Sequence, residues 1–229
     1  MASLTADAAM QLPGPDWLRQ RRGEAAEQLR SASLPSADEE MWRYTPVADI
    51  DLERYAPATD VAPTAGGTPP RGAAVVQVVD GHVVSVEISA EAATAGLEIG
   101  AAGQIGGAEA LLAGVQVDDT FDLVNQAAAV DPVIVRIPAG RTLPGTVYVR
   151  NHLAGAGVVS APHLLVQMGP DAELSIVESH QGGGASLVVP RTDLAVSDGA
   201  RLRLTMVQQL DESATQIGRQ RTVSGAQST

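Results

Sequence analysis

Two stretches of alternating apolar and polar residues decide the fold: LLVQMGPDAELSIVE at residues 164–178 and TDLAVSDGARLRLTMVQ at residues 192–208. Successive side chains of a β-strand point to opposite faces, so each stretch offers one face to a core and one to water. The two patterns superimpose at an offset of 28 residues, which places Leu174 on Leu202. A recurring unit of this length predicts stacked coils, because one unit cannot bury its own apolar face. An ordinary antiparallel meander is the alternative.

The composition excludes several classes of function. The chain of 229 residues has a formal net charge of −12, which argues against nucleic acid and anionic membranes as partners. Cysteine is absent, so this sequence contains no disulfide, thiolate metal site or cysteine nucleophile. All 15 basic residues are arginine, which rules out a P-loop lysine or a Schiff-base lysine here.

The N-terminal part of the sequence predicts short helices, and the chain as a whole is expected to be soluble. The start of the chain lacks a basic, apolar signal sequence and no later segment is long and apolar enough to span a membrane, so we expect a cytoplasmic protein. Residues 1–12 are expected to be mobile, and a helix should begin near Pro15. Ser36 and Glu39 have the spacing of a capping box, which predicts a further helical turn.

The middle of the chain reads as a linker, a hairpin and a helix. Residues 57–72 are rich in Pro, Gly, Thr and Ala, which is typical of a linker. Asp80 and Gly81 lie between valine-rich runs and predict a two-residue hairpin turn. Residues 118–129 predict a helix, and the chain from residue 132 onward is rich in strand patterns.

Two segments resemble a known family. LPSADEEMWRYTPVADIDLERY (residues 34–55) is similar to the N-terminal signature of the SufB/SufD family, in its SufD branch, and APHLLVQMGPDAELSIVE (residues 161–178) is similar to the family's core. His163 departs from the family, which more often has arginine after this proline. The residues that match the family signature in a structural role are Glu40, Trp42, Arg43, Tyr44, Thr45 and Glu178.

The resemblance implies a fold and a domain order. The expected fold is mainly β: a right-handed parallel β-helix, incomplete here, preceded by a small α-helical region. We expect a helical region at 1–56, the linker at 57–72, a hairpin and mixed α/β lead-in at 73–130, and the start of the β-helix core at 131–229. Members of the family continue into further coils and a helical domain, so we expect this chain to be C-terminally truncated.

The resemblance also implies a function. SufD is the scaffold subunit of the SUF iron–sulfur cluster assembly system, where it acts with SufB and with the ATPase SufC. We therefore expect a non-catalytic scaffold with no cofactor of its own, the iron–sulfur cluster belonging to the whole complex. A homodimer through the edge of the β-helix is left open. The family's SufC contact and its interface histidine lie beyond the segment that the resemblance covers.

The sequence offers few groups for chemistry, and we assign no catalytic, cofactor-binding or metal-binding residue. Glu178 and His180 lie on the same side of a strand and could form half of a metal site, whereas the simpler interpretation is a solvated strand end. Gly182, Gly183 and Gly184 could cradle a phosphate, but they lack the following Lys-Ser/Thr and are typical of a flexible loop. His82 and His152 follow a turn and end a strand, with no partner indicated.

The alternative function is a β-solenoid carbohydrate enzyme, a polysaccharide lyase or glycosidase. Such sites need paired carboxylates and aromatic platforms for sugar rings. After residue 56 the chain has only Phe121 and Tyr148 as aromatic residues. The sequence therefore favours the scaffold over the enzyme.

Overall fold

A computed structural model describes residues 4–45, 47–59 and 71–229. It confirms a mainly β protein, with a β-solenoid of about three turns and a few helices before it. The α-helices of the described residues are α1 (Ala6–Gln11), α2 (Asp16–Leu29), α3 (Ala90–Thr94), α4 (Ala108–Ala113) and α5 (Thr120–Ala128). Short 3-10 helices span Glu40–Trp42, Leu52–Arg54 and Ala102–Gln104.

The first three strands alternate with short helices, and from Val133 onward the regular elements are strands. They are β1 (Ala74–Val79), β2 (His82–Ile88), β3 (Glu98–Ala101), β4 (Val133–Ile137), β5 (Thr142–Leu153), β6 (Val159–Ser160), β7 (His163–Met168), β8 (Glu173–Gly182), β9 (Leu187–Val188), β10 (Arg191–Val196), β11 (Arg201–Leu210), β12 (Thr215–Gln216) and β13 (Arg219–Ser224).

Each coil of the solenoid contributes one strand to each of three parallel stacks. The coils are β5–β6–β7, β8–β9–β10 and β11–β12–β13. Strands β5, β8 and β11 pair in parallel, as do β7, β10 and β13, and β6, β9 and β12. The parallel pairing shows that the antiparallel meander was the wrong alternative.

The predicted 28-residue offset is the register of the coils. Leu174 pairs with Leu202, and Leu164 pairs with Thr192. The apolar face of each strand points into the solenoid, where it forms one continuous core with the coils above and below. One coil therefore buries the face that it could not bury alone.

Antiparallel strands close the N-terminal end of the solenoid. Strands β1 and β2 form the predicted hairpin, and Asp80 and Gly81 both have positive φ (47° and 92°), as a type I′ turn requires. The other edge of β1 pairs in parallel with β5. Strand β3 pairs antiparallel with β4. These strands cover the edge that the first coil would otherwise present to solvent.

Helix α5 lies on the solenoid and holds two coils together. The Asp119 side chain accepts the backbone N–H groups of Phe121 and Asp122 and so caps the helix. The Asn125 amide Nδ2 donates to the backbone carbonyls of Pro162 and Val189, which belong to successive coils. Every residue of α5 is buried, so the helix belongs to the core and does not lie on the protein surface.

The expectation that residues 1–12 are mobile is wrong for the part that the structure describes. Thr5 caps α1 through its side chain, and Ala9 and Leu12 are buried. Alanine and leucine in this segment gave no helical stripe that could be recognised alone. Helix α1 is ordered because it packs against α2 and α5.

Arg22 joins the N-terminal helices to the end of α5. Its guanidinium donates to the backbone carbonyls of Leu12, Pro13, Ala129 and Val130. Burial lowers the pKa of Arg22 to about 10, which leaves the side chain protonated at neutral pH. These carbonyls lie at chain turns with no regular partner, and one buried cation satisfies all of them.

Most of the predicted linker, residues 60–70, lies outside the described residues, and the domain boundaries stay predictions. Residues 57–59 and 71–72 are described and lie outside any helix or strand. In the described part of the chain, no helix has the length and apolar character needed to cross a membrane.

Candidate functional site

The N-terminal signature combines one half-buried residue, Trp42, with exposed neighbours. Glu40 and Trp42 lie in a 3-10 helix, and the Trp42 ring is tilted by 42° against the ring of Phe121 at 5.4 Å between centroids. Arg43, Tyr44 and Thr45 are exposed, Tyr44 to 91%. The structure places the two aromatic residues of the signature in different surroundings. Trp42 packs on the fold, whereas Tyr44 is free to contact another molecule.

The capping box is present with one changed contact. The Glu39 carboxylate accepts the backbone N–H of Ser36 at 3.1 Å, as predicted. The Ser36 hydroxyl accepts the N–H of Asp38 at 3.3 Å rather than that of Glu39. The acidic group thus serves the start of the turn that carries Trp42.

A cleft of about 400 Å³ opens where this turn, the start of α5 and the second and third coils meet. We call it the seam cleft. Its lining residues are Trp42, Asp119, Phe121, Asp122, Asn125, Val189, Pro190, Arg191, Ile217, Gly218, Arg219 and Gln220. The cleft therefore combines an aromatic wall with charged groups of both signs.

The basic groups at the seam come from one position of successive coils. His163 pairs with Arg191 in the next coil, and Arg191 pairs with Arg219 in the coil after that. We call these residues the basic column. Arg191 is buried, and its Nη1 lies 2.6 Å from Asp122 Oδ1. Its Nε donates to Asp193 Oδ2 at 2.6 Å, and the His163 ring lies 2.9 Å from the same oxygen.

The acids of the seam respond differently to burial. Burial raises the pKa of Asp122 above its usual range, although Arg191 and Arg219 oppose the shift. Burial would also raise the pKa of Asp193, but hydrogen bonds from His163 and Arg191 outweigh it and hold that pKa well below the usual range. Asp193 is accordingly a fixed anion between the Arg191 guanidinium and the His163 ring.

Ion pairing at the seam bears on the carbohydrate-enzyme alternative. Asp118 and Asp119 both pair with Arg219, while Asp122 contacts Arg191 and Arg219. Each carboxylate is therefore engaged by an arginine, and Trp42 is packed against Phe121. A glycosidase needs one carboxylic acid and one carboxylate that face the substrate. The seam cleft does not favour that chemistry.

A second polar group lies inside the solenoid, and it corrects the interpretation of Glu178 and His180 as a solvated strand end. We call Asn151, Glu178, His180 and Thr192 the interior polar group. Glu178 has 0% exposure and His180 has 2%. The Thr192 hydroxyl donates to Glu178 Oε2 at 2.9 Å, and the Asn151 amide lies 3.4 Å from Glu178 Oε1. Both residues share the parity of Leu174, so they point inward with the core.

The interior polar group does not by itself meet the usual requirement for a metal centre. Among the residues that the structure describes, no three His, Asp or Glu side chains are grouped so that they could hold a metal ion. His180 Nε2 lies 3.4 Å from Glu178 Oε1, and these two are the residues that the sequence offered as half of a metal site.

The glycine run is neither a phosphate cradle nor an open loop. The Asp211 carboxylate occupies the space beside Gly183 and accepts the backbone N–H of Gly184 at 3.2 Å. Gly182 has φ of +105° and lies against the carbonyl of Leu153 in the preceding coil. A carboxylate therefore takes the place that a phosphate would need.

The remaining histidines lie apart from both polar groups. The His82 ring lies 2.8 Å from the carbonyl of Ala58. His152 lies near the end of β5, where its Nδ1 is buried without a hydrogen-bond partner among the described residues. The structure does not bring either residue to a common site with Glu178.

The solenoid is the part of the chain that comparison with known proteins recognises. Residues 151–229 match a family model described as SUF system FeS cluster assembly, SufBD core domain. This match supports membership of the SufB/SufD family. It begins within β5 and includes the second and third coils, Glu178, His180 and the Arg191–Arg219 part of the basic column. No curated protein matches the chain.

Proposed function

We propose that the chain is a SufD-type scaffold subunit of SUF iron–sulfur cluster assembly that acts with a SufB homologue and a SufC ATPase. The observation that carries the proposal is the coincidence of two features in the same residues. The SufBD core domain match covers residues 151–229, and the same residues form stacked parallel coils. A matching sequence on the corresponding fold supports the assembly function more strongly than either feature alone.

The SufD branch is supported by residues outside the matched core. The resemblance of Glu40, Trp42, Arg43, Tyr44 and Thr45 is to the SufD signature rather than to SufB. The sequence also lacks cysteine, the residue on which iron–sulfur clusters are most often held. In this proposal the cluster is cargo of the assembled complex, and this chain supplies no ligand to it from cysteine.

The proposed role is structural rather than catalytic. Arg191, Asp122 and Asp193 form a buried charge network that holds α5 against two coils. Such a network favours one rigid arrangement of the surfaces that a partner meets. The proposed location is the cytoplasm, where the SUF partners of the family act.

Co-purification tests the proposal. The protein would be co-expressed with the SufB and SufC homologues of the same genome, with an affinity tag on SufC only. At near-physiological salt we expect all three proteins to elute together and to stay together in size-exclusion chromatography with light scattering. Elution of the product alone, as a monomer or as a homodimer, contradicts the proposal.

Tyr44 offers a variant that leaves the fold intact. The side chain is almost wholly exposed, so Tyr44→Ala should leave folding unchanged. If the signature binds a partner, the variant will weaken co-elution, whereas Val117→Ala, at another exposed apolar residue, will not. Equal co-elution of both variants would place the partner contact elsewhere on the chain.

A further inference from the structure

Glu178 is oriented as metal-binding carboxylates are. Thr192 donates to Oε2 at 2.9 Å and fixes the carboxylate, while the other oxygen, Oε1, faces His180 and Asn151. Outer groups that hydrogen-bond a ligand fix its orientation in metal sites. A charge with no solvent exposure also requires a compensating cation or proton. Because Thr192 already binds Oε2, the compensating cation or proton must lie at Oε1 of Glu178.

His180 lacks the contacts that a buried imidazole normally has. Among the described residues, neither Nδ1 nor Nε2 has a hydrogen-bond partner. The 3.4 Å separation of Nε2 from Glu178 Oε1 is longer than a normal N–H···O hydrogen bond. Two donor atoms that each lie about 2.1 Å from one ion at a tetrahedral angle are about 3.4 Å apart. The observed spacing fits two ligands of a shared ion better than a hydrogen bond.

A half-turn of the Asn151 amide, whose Nδ2 faces Glu178 Oε1, would supply a third donor. The two ends of a side-chain amide are interchanged by a half-turn, and their assignment follows from neighbouring hydrogen bonds. The half-turn brings Oδ1 to the position of Nδ2, which is 3.4 Å from Glu178 Oε1. In the register of the coils Asn151 lies beside His180, and His180 lies beside Gln208, which is exposed in the third coil.

We propose that Glu178, His180 and Asn151 bind one divalent transition-metal ion inside the solenoid. Carboxylate oxygen, imidazole nitrogen and amide oxygen form a mixed set of oxygen and nitrogen donors, which suits Zn²⁺, Co²⁺ or Fe²⁺ rather than soft thiolate-bound ions. The third ligand is an amide, which is why no trio of His, Asp and Glu is present. The site does not depend on the SUF assembly function.

Metal content of the intact chain tests the site. The untagged protein would be expressed in medium supplemented with Co²⁺, dialysed exhaustively against metal-free buffer, and measured by mass spectrometry of the metal and by visible absorption. We expect about one Co²⁺ per chain with an absorption spectrum of nitrogen and oxygen ligation. Glu178→Gln and His180→Gln should each reduce the affinity for Co²⁺ by about tenfold or more.

Two control variants remove a carboxylate and an imidazole that lie outside the proposed metal site. Glu173→Gln lies on the same strand, in an exposed pair with Arg201, and His82→Gln removes a histidine outside the interior polar group. Both should bind Co²⁺ like the wild type. Co²⁺ content that is negligible in the wild type, or equal in the Glu178 and Glu173 variants, overturns the proposal and leaves a buried polar group without a metal.

Asn151→Asp keeps the test decisive if the other variants fail to fold. An aspartate of the same shape places a second carboxylate beside Glu178, which destabilises the protein unless a cation lies between them. Under the proposal, Co²⁺ raises the melting temperature of this variant more than that of the wild type. A melting temperature that Co²⁺ leaves unchanged in both proteins refutes the site.

Discussion

Arg191 and Asp122 meet at 2.6 Å across the seam between the solenoid and α5, where their side chains are only 1% and 2% exposed. Asp122 also contacts Arg219, and Arg191 also binds Asp193. Two charges removed from water lose several kcal/mol of solvation, which only a close and well-partnered arrangement recovers. The pair thus holds α5 at one position on the coils.

Removal of the Arg191 guanidinium is expected to lower the free energy of unfolding more than removal of the Asp122 charge. Arg191→Met leaves the carboxylates of Asp122 and Asp193 buried with fewer partners, and we expect a loss of about 3–5 kcal/mol in the free energy of unfolding. Asp122→Asn should cost less, because Arg191 keeps Asp193. Urea denaturation measures both, together with Arg191→Met/Asp122→Leu, which should recover part of the loss.

The control for this prediction is an exposed pair. Arg201 and Glu173 lie 2.6 Å apart, but their side chains are 69% and 40% exposed. Arg201→Met should change the free energy of unfolding by about 0–1 kcal/mol. If Arg191→Met costs no more than Arg201→Met, the seam pair does not hold the helix.

The acid sensitivity of the fold should depend on His163. Burial lowers the pKa of His163 from its usual 6.5, although the hydrogen bond with Asp193 opposes the shift. The unfolded chain therefore takes up a proton near pH 6.5 that the folded protein does not accept until lower pH. With respect to His163, the free energy of unfolding is therefore highest above pH 6.5. It decreases as the pH falls from 6.5 toward the lowered pKa.

Urea denaturation across this pH window tests the role of His163. His163→Gln removes the titrating group while it keeps a hydrogen-bond donor for Asp193. We expect its free energy of unfolding to fall less steeply than that of the wild type between pH 6.5 and about 5. Identical slopes for the two proteins would assign the acid sensitivity to other groups.

The solenoid could be predicted from short stretches of sequence, because each coil repeats the same alternation of apolar and polar residues. The apolar parity of Leu174 recurs at Leu202, and Asp80 with Gly81 defines a turn within a few residues. Contacts between distant segments were not predicted: Asp122 and Arg191 belong to different elements, and neither residue type signals burial. The order of α1 likewise depends on packing against α2 and α5 rather than on its own sequence.

Two overlooked signals were nevertheless present in the sequence. Glu178 and His180 have the same parity as Leu174, and that parity predicts an inward direction rather than a solvated strand end. Arg191 and Arg219 follow His163 at the coil spacing, which predicts one column. The wrong step was to treat polarity as evidence of exposure, although a satisfied polar group can lie in a core.

The Thr192 hydroxyl is expected to stabilise the fold through Glu178. Thr192→Val preserves the shape of the side chain but removes the donor to Glu178 Oε2, so a buried carboxylate oxygen loses its partner. We expect a loss of about 1–3 kcal/mol in the free energy of unfolding. Thr205→Val, at an exposed position of β11, should stay within about 0.5 kcal/mol of the wild type. Equal effects of the two substitutions would mean that the hydrogen bond from Thr192 to Glu178 does not stabilise the fold.

The two aromatic residues of the signature should differ in their effect on stability. Trp42→Ala removes the ring that packs on Phe121, and we expect a loss of about 1–3 kcal/mol in the free energy of unfolding. Tyr44→Ala, at a side chain that is almost wholly exposed, should change it by less than about 0.5 kcal/mol. Thermal unfolding of both variants decides the matter, and an unchanged Trp42 variant would show that the turn does not depend on this anchor.

The glycine run should tolerate no side chain where one coil contacts the next. Gly182 has φ of +105°, and an added Cβ would overlap the carbonyl oxygen of Leu153. Gly182→Ala therefore adds backbone strain to a clash, and we expect a loss of about 2–4 kcal/mol in the free energy of unfolding. Gly106→Ala is the matched control, because an added Cβ there has no neighbour within 4 Å among the described residues, and its effect should lie within about 1 kcal/mol. A mild effect at both positions would mean that the coils can separate locally at the run.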